Sequence, residues 1–285
     1  MRGSPLGCAL YGYHVLGGGT MRWTQKHAWL GPMPTSAEAA SVVAKVGLPA
    51  RPARPEEVAG LLASGRFVGR VAGRSEYGPR ALGNRSIFAD PRRAEVASVL
   101  NRQVKHREVF RPFAPICLQE HAAAYFDLPV PSPFMTMAAS VQKEARALIP
   151  GAVHVDGSAR VQTIRRVSNP AVYDLVAAFG ALTGVPVLLN TSLNDDGEPI
   201  VETVEDALVC MGRTGLHHLV AAELLIDAPE NGKALADDLA QCRKQRIEAE
   251  YAAARHRLCV ESRFSDAMAR IEAVRAGRPD EAQAR

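Results

Sequence analysis

Three arginines stand close together in a stretch whose other residues favour an irregular backbone. Arg74, Arg80 and Arg85 lie within the fourteen residues from Gly73 to Ser86, among further glycines and a proline. Glycine lets a backbone approach a ligand closely, and guanidinium groups form paired hydrogen bonds with phosphates and carboxylates. The stretch therefore predicts an anion-binding loop, and the alternative is a basic surface loop without a ligand.

Further polar groups that suit an anion site follow in three places. One is an apolar segment that prolines prevent from forming a regular helix, one is a run of small residues, and one is the end of a predicted buried strand. Residues at strand ends commonly hold ligands in α/β sheets. These groups are Lys105, Arg107, Arg111, Arg160, Ser192 and Asn194.

Histidines and carboxylates near these positions have two interpretations. His106 and His154 could be general bases or metal ligands, but such histidines are more often hydrogen-bonded structural groups. Glu76, Asp195 and Asp196 could hold magnesium, although magnesium bound mainly through substrate phosphates leaves little trace in a sequence. The five cysteines show no zinc-site spacing, so we expect no metal site built by the protein itself, and free thiols.

The composition is that of an ordinary globular protein. With 285 residues, 47% of them hydrophobic, the chain can form one large domain or two small ones. A net charge of +4 without a lysine-rich arm fits small anionic substrates and gives no sign of nucleic-acid binding. No apolar run is long enough to span a membrane or to form an export signal, so a cytoplasmic location is expected.

Residue spacing and capping residues predict alternating helices and strands, and hence an α/β fold. A short apolar helix near the N-terminus ends at Gly17. The other predicted helices are 36–47 with Ser36 as N-cap, 54–64, 92–104, 119–126, 170–183 and one beginning at Thr203. The predicted strands are 66–72, 134–139, 185–190 and one ending near Asp227.

Four blocks of sequence resemble the C-terminal half of the O-carbamoyltransferases, which modify antibiotics and nodulation factors. The blocks are EYGPRALGNRSIFADPR, KHREVFRPFAP, HVDGSARVQT and LLNTSLNDDGEPIV, within residues 55–227. The Lys-x-Arg pair with a later Ser-x-Asn pair is also similar to the YrdC-like threonylcarbamoyladenylate synthases. One block would be weak evidence, whereas four in the same order form a specific pattern.

The resemblance implies three parts in the chain. Residues 51–227 are expected to form a YrdC-like twisted mixed sheet flanked by helices. Residues 1–50 are similar to the C-terminal end of the family's acetate-kinase-like domain, whose iron ion would then lie outside this chain. Either a separate polypeptide supplies that domain, or the chain is a fragment, or the transfer step is lost. Residues 228–285 are expected to be a helical extension with a disordered tail, and an oligomer contact is the alternative.

The resemblance also implies an activity. The family's C-terminal half uses ATP, carbamoyl phosphate and Mg²⁺ to form carbamoyladenylate, from which the carbamoyl group passes to a hydroxyl of a small natural product. The implied catalytic residues are Lys105, Arg160 and Ser192, and the implied substrate-binding residues are Arg80, Arg85, Arg107, Arg111, Met135 and Asn194. For Arg85 and Arg111 the alternative is a structural pair with Glu108, Asp90 or another carboxylate.

Two other functions remain open on the sequence. A threonylcarbamoyladenylate synthase of tRNA modification would use threonine and bicarbonate in place of carbamoyl phosphate. A non-catalytic remnant would bind a nucleotide or a partner subunit without turnover. A homo-oligomer is left open as well.

Overall fold

The computed structural model describes residues 4–22, 25–242, 244, 245 and 248. The chain divides into two compact units, Met1–Ala236 and Asp237–Arg285. In the second unit residues 237–242 are helical. The predicted disordered tail lies outside the described residues.

Ten strands form one mixed sheet in the first unit. The strands are β1 Ala50–Pro52, β2 Val68–Val71, β3 Arg85–Ala89, β4 Ala114–Leu118, β5 Phe126–Asp127, β6 Met137–Val141, β7 Ser158–Ile164, β8 Val187–Ser192, β9 His218–Ala221 and β10 Leu224–Asp227. Their spatial order is β1-β10-β9-β2-β3-β8-β4-β7-β6-β5. The β2–β9 and β4–β7 pairs are parallel and the other neighbours antiparallel, so the α/β class with a mixed sheet is confirmed.

Each helix predicted in the first unit has a counterpart in the structure, in the same order. They are α1 Ser4–Tyr11, α2 Ser36–Lys45, α3 Pro55–Ala63, α4 Val96–Gln103, α5 Ala122–Tyr125, α6 Pro170–Thr183 and α7 Val204–Thr214. Thr203 caps α7 together with Asp206, as predicted. The N-cap of α2 is Thr35, not Ser36, because Thr35 forms a reciprocal capping box with Glu38.

Helices cover both faces of the sheet. Apolar residues of α3 and α6, such as Leu62 and Phe179, pack against Val68, Phe88 and Leu188 in one buried core. Successive strand residues face opposite sides. Gly69 follows Val68 and therefore faces the other side of the sheet. It lies against Leu216, which comes directly after α7, and α7 itself contacts β2 and β9, so α7 covers this other face. Flanking helices are therefore confirmed, and no described helix is long and apolar enough to cross a membrane.

One central strand was not predicted. β3 begins at Arg85, inside the stretch interpreted as a loop, and all five of its residues are buried between β2 and β8. The segment has only five residues and begins with the polar Arg85 and Ser86. It therefore lacks the apolar run or the alternation by which a strand is recognised in a sequence. The four described cysteines, Cys8, Cys117, Cys210 and Cys242, are free thiols, as expected.

Candidate functional site

A buried carboxylate organises the arginine-rich loop, which connects the antiparallel neighbours β2 and β3. Glu76 Oε1 accepts hydrogen bonds from the backbone N–H groups of Leu82 at 2.8 Å and Asn84 at 2.7 Å. Asn84 in turn donates to the carbonyl of Arg74 at 2.8 Å. Burial raises the pKa of Glu76 above its usual value. The loop is therefore a folded turn held by internal hydrogen bonds.

The buried guanidinium group of Arg70 also holds this loop in place. One guanidinium nitrogen of Arg70 donates to the carbonyls of Ala72 and Gly83 and to Asn84 Oδ1, at 2.8–3.1 Å. The amide of Asn169, the N-cap of α6, donates to the same Asn84 oxygen at 2.8 Å. Burial lowers the pKa of Arg70 to about 10, which leaves it charged at neutral pH. The loop is thus tied to both the sheet and a helix.

Four guanidinium side chains meet at one cavity of about 240 Å³, which we call the arginine cavity. Its walls come from the loop after β2, the segment before β4, β7 and the end of β8. The predicted site residues that line it are Arg80, Arg107, Arg111, Met135, Arg160 and Ser192. Six positions that are up to 112 residues apart in sequence therefore share one wall surface.

The segment before β4 holds two of these arginines through α4. The side-chain amide of Asn101 donates to the carbonyls of Val109 and Arg111, and its oxygen accepts from Arg107 Nε at 2.6 Å. The Arg107 guanidinium lies 4.7 Å from the ring centre of Phe113, a cation–π contact. Burial, with Arg111 nearby, lowers the pKa of Arg107. Two cations are thus held together, as an anion site requires.

Lys105 lies behind the cavity wall. Its Nζ donates to the Ser192 carbonyl at 2.9 Å, to the Asn194 carbonyl at 2.7 Å and to Asn194 Oδ1 at 2.6 Å. It is 4% exposed and is not a lining residue of either of the two cavities described in this section. Burial lowers its pKa to about 8. The structure thus places Lys105 as a clamp on the strand end that carries Ser192.

Arg85 also binds the chain itself. Its guanidinium donates to the backbone carbonyls of Pro32, Gly73, Asn84 and Glu202 at 3.0–3.2 Å. Its side chain is 1% exposed and lies 3.9 Å from a carboxylate oxygen of Glu202. This geometry corresponds to the structural alternative, with carbonyls as the main acceptors. Arg111 lies 3.7 Å from Glu108, but both side chains are about half exposed.

A second cavity of about 490 Å³ adjoins the first and shares Pro79 and Ser192 with it. We call it the carboxylate cavity, because Glu76, Glu198 and Glu202 are among its lining residues, and Arg85 lines it as well. Asn194 lines it too, and its Oδ1 accepts from the Ser192 hydroxyl at 2.6 Å. Ser192 therefore lines both cavities, whereas Asn194 lines the second.

The histidine and carboxylate candidates are engaged in local hydrogen bonds. His106 Nδ1 lies 2.8 Å from Asp195 Oδ1, and His154 Nδ1 lies 3.2 Å from the Ser158 hydroxyl. The same Asp195 oxygen accepts from the Asp196 N–H at 2.7 Å. In the part of the chain that the structure describes, no three His, Cys, Asp or Glu side chains form a metal-sized cluster.

Two amide side chains at or next to the arginine cavity, Asn190 and Gln162, were not predicted as site residues from the sequence. Asn190, on β8, lines the arginine cavity and donates to Gln162 Oε1 at 2.7 Å. Gln162, on β7, donates to the Leu82 carbonyl of the loop at 2.9 Å. The only signal in the sequence was an amide inside an otherwise apolar strand pattern. The fold and the site together define an α/β protein with a cavity lined by four arginines.

The chain belongs to the family described as Carbamoyltransferase C-terminus, which matches residues 59–228. It is 49% identical over 169 residues to nodulation protein NolO of Bradyrhizobium diazoefficiens, covering 58% of this chain and 31% of that protein. It is 40% identical over 173 residues to 3'-hydroxymethylcephem-O-carbamoyltransferase of Amycolatopsis lactamdurans, covering 61% and 33%. The chain thus spans about a third of the length of these relatives.

Solved structures with some similarity include two of HypF. One is T. kodakarensis HypF, with 18% identity and a TM-score of 0.35 over 52% of this chain and 18% of that chain. The other is full-length HypF in a phosphate- and nucleotide-bound form, with 17% identity and a TM-score of 0.40 over 63% and 22%.

Proposed function

We propose that this chain forms carbamoyladenylate from carbamoyl phosphate and ATP, for transfer of the carbamoyl group to a hydroxyl of a small molecule. The observation that carries the proposal is the convergence of Arg80, Arg107, Arg111 and Arg160 on one cavity in a member of the carbamoyltransferase family. Phosphate esters are the ligands that such a set of planar, permanently charged donors suits best.

The chemistry needs these charges at one place. Carbamoyl phosphate and water give carbamate and phosphate; a carbamate oxygen then attacks the α-phosphorus of ATP, and the bond to pyrophosphate breaks. Negative charge gathers on the phosphoryl oxygens, and fixed guanidinium groups stabilise it without reorganising. We assign Arg160 and Arg80 to the reacting phosphates, and Arg107 and Arg111 to the remaining phosphates. Met135 packs against adenine.

Ser192 and Lys105 have different parts in this proposal. The Ser192 hydroxyl lines the cavity and would hydrogen-bond the adenylate phosphate or the carbamoyl group, with Asn194 fixing its orientation. Lys105 is a positioning residue, because its ammonium binds the backbone of residues 192 and 194. Mg²⁺ would arrive with ATP, held mainly by the phosphates. Arg85 keeps the loop in place.

Transfer to an acceptor is the second half of the proposal. A relative with 40% identity is named for O-carbamoylation of a hydroxymethyl cephem, which supports a hydroxyl acceptor for this chain. That relative is about three times as long as the matched region. We propose that an iron-containing acetate-kinase-like domain, on a separate polypeptide or elsewhere in a longer protein, completes the transfer.

Pyrophosphate release by the purified chain tests the adenylate step. With ATP and carbamoyl phosphate, we expect Arg160→Ala to lower kcat/KM by about 100-fold, as loss of one fixed donor to a developing charge does. Ser192→Ala should lower it less, by about 10-fold. Arg102→Ala is the matched control, since Arg102 is exposed on α4 and lines neither cavity.

Three outcomes would contradict the proposal. Full activity in both site variants would mean that the cavity is not the active site. ATP binding without pyrophosphate release would favour the non-catalytic nucleotide-binding function. Release that requires threonine and bicarbonate, and not carbamoyl phosphate, would identify a threonylcarbamoyladenylate synthase.

A further inference from the structure

Residues 28–32, which we call the strap, run antiparallel to the arginine loop. Trp29 of the strap pairs with Glu76 in an isolated β-bridge. The backbone N–H groups of Ser75 and Tyr77 donate to strap carbonyls at 2.9 Å and 2.6 Å, and a strap N–H donates to the Ser75 carbonyl at 3.0 Å. The backbone on both sides of Glu76 is therefore fixed by the strap.

The strap also accepts hydrogen bonds from two arginine side chains. Arg74 donates to the carbonyl of Leu30 at 2.7 Å, and Arg85 donates to the carbonyl of Pro32 at 3.2 Å. Arg74 lies at the beginning of the loop, and Arg85 is the first residue of the strand that follows it. The strap thus holds both ends of the arginine loop.

These contacts reach the arginine cavity through Glu76. The strap fixes the backbone from which the Glu76 carboxylate holds the N–H groups of Leu82 and Asn84. Arg80 lies between Glu76 and Leu82 in the same turn and lines the cavity. A displacement of the strap would therefore displace the turn that carries Arg80.

A side chain of the strap supports the cavity wall as well. Trp29 is 9% exposed and packs in one cluster with Leu82, Ala114 and Met135. Ala114 and Met135 are lining residues of the arginine cavity. The strap therefore contacts the site through its backbone on the loop and through an indole ring behind the wall.

The strap lies outside the residues that match the family, 59–228. It belongs to residues 1–50, which resemble the end of a different domain. Its hydrogen bonds nevertheless go to the arginine loop, inside the matched region. The matched region thus does not contain every residue that holds this loop in place.

Gly31 shows how closely the strap and the loop are packed. A Cβ atom at Gly31 would lie 1.9 Å from the Ser75 hydroxyl oxygen and 3.2 Å from the Ser75 Cβ. That hydroxyl donates to Glu202 Oε1 at 2.8 Å, so it cannot turn away without losing this hydrogen bond. A methyl group at position 31 would therefore push the strap and the loop apart.

We propose that the strap is a positioning element of the anion site. By fixing Ser75 and Tyr77 it keeps Glu76 where its carboxylate closes the arginine loop, and this directs Arg80 to the cavity. The inference rests on the proposed function where nucleotide binding is the readout, whereas the order of the loop can be measured without any ligand.

Gly31→Ala tests the proposal on the full chain, with MgATP as the ligand. We expect its affinity to fall about tenfold, a difference of about 1.4 kcal/mol. Calorimetry distinguishes a displaced loop, which lowers the affinity, from a loss of folded protein, which lowers the stoichiometry. Gly12→Ala is the matched control, since a Cβ atom there has open space around it. Unchanged affinity in Gly31→Ala, or an equal fall in Gly12→Ala, would overturn the proposal.

A second substitution should rescue the first. Ser75→Ala removes the hydroxyl oxygen that the new methyl group would strike, and leaves the nearest Ser75 atom at 3.2 Å. The Gly31→Ala/Ser75→Ala chain should therefore bind MgATP within about twofold of Ser75→Ala alone, since contacting residues are not additive. A full tenfold fall on the Ser75→Ala background would show that the contact with the loop is not the cause.

Hydrogen exchange separates this inference from the proposed function. In Gly31→Ala the backbone N–H groups of Leu82 and Asn84 should exchange at least about tenfold faster, by local opening of the loop, while those of β8 in the middle of the sheet should not change. Faster exchange in a chain whose natural form does not bind MgATP would contradict only the proposed function. Unchanged exchange at Leu82 and Asn84 would overturn the role of the strap.

Discussion

The Lys105 ammonium has three protons, and three oxygen atoms of residues 192 and 194 accept them at 2.6–2.9 Å. This match explains how a cation with 4% exposure is accommodated. It also changes the role that sequence patterns suggest for the Lys-x-Arg pair. The lysine orders the strand end, and the arginine reaches the cavity.

The depressed pKa of Lys105 predicts a pH dependence. Its pKa is lowered to about 8 by burial, so the ammonium loses a proton as pH rises from 7 to 9. The neutral amine has one donor fewer for its three acceptors, and the strand end with Ser192 loosens. We expect the affinity for ATP, measured by calorimetry, to fall about fivefold over this range, as for one lost hydrogen bond of about 1 kcal/mol.

Lys105→Met keeps much of the apolar stem and is the control for this dependence. Its affinity should be lower at every pH and should show no fall between pH 7 and 9. A fall of the same size in the variant would show that a different group titrates.

Glu76 predicts a separate effect on stability. Glu76→Ala leaves the N–H groups of Leu82 and Asn84 without their acceptor, at about 1–3 kcal/mol each. Glu76→Gln keeps an acceptor oxygen and should cost much less. The folded-state pKa of Glu76 is raised, so its contribution is fully present below pH 4.5 and declines as pH rises through the folded pKa.

Urea unfolding at several pH values tests both statements about Glu76. The difference in unfolding free energy between the natural chain and Glu76→Gln should shrink or change sign as pH rises just above 4.5. A constant difference would mean that the carboxyl titrates normally, and a Glu76→Ala variant as stable as the natural chain would mean that the loop is closed by other contacts.

At the scale of elements, the arginine loop is positioned by its close approach to α6. Gly83 has φ = +118°, and a Cβ atom there would lie 2.9 Å from Val172 of α6. Asn169 and Asn84 join the same two elements by a hydrogen bond. The loop, and with it Arg80, is therefore oriented by a helix that contributes no residue to the arginine cavity.

Gly83→Ala should destabilise the chain by about 1–3 kcal/mol, because it adds both backbone strain and a clash with Val172. Gly60→Ala is the control: Gly60 lies within α3 with open space around it, so the change should stabilise by about 0.5–1 kcal/mol. Thermal unfolding of the two variants should shift in opposite directions. Equal shifts would contradict the proposed close packing of loop and helix.

At the scale of the molecule, the sheet brings the site together. β8 lies between β3 and β4, and β7 lies next to β4, so the ends of these strands present Ser192, Asn190 and Arg160 to one space. Every lining residue of the arginine and carboxylate cavities falls within residues 75–202. The first unit thus contains both cavities without any residue from the second.

A chain that ends after residue 242 should therefore keep the site. We expect an unchanged affinity for ATP and a thermal midpoint within about 2 °C, since a change of 1 kcal/mol shifts the midpoint of a domain of this size by about 2–4 °C. Calorimetry and thermal unfolding of the shortened chain test this. A large loss of affinity would show that residues 243–285 contribute to nucleotide binding.

Local signals in the sequence determined much of the secondary structure of this protein, its family and part of its candidate site. Helical spacing and caps located α3, α6 and α7, alternation located β2, and the four blocks identified the family and five of the residues that line the arginine cavity, Arg80, Arg107, Arg111, Arg160 and Ser192. These signals are readable because they depend on neighbours along the chain: a cap bonds three residues ahead, and an amphipathic pattern repeats every turn.

Only the tertiary structure decided which cations face the cavity and which face the protein. Lys105, Arg85 and Arg160 look alike as charged residues in the four blocks, yet Lys105 and Arg85 bind backbone carbonyls and only Arg160 of the three lines the arginine cavity. The difference depends on which carbonyls lie within hydrogen-bond distance after the strands have paired, as β3 does with β8. Those partners are up to 117 residues away, and no local pattern encodes them.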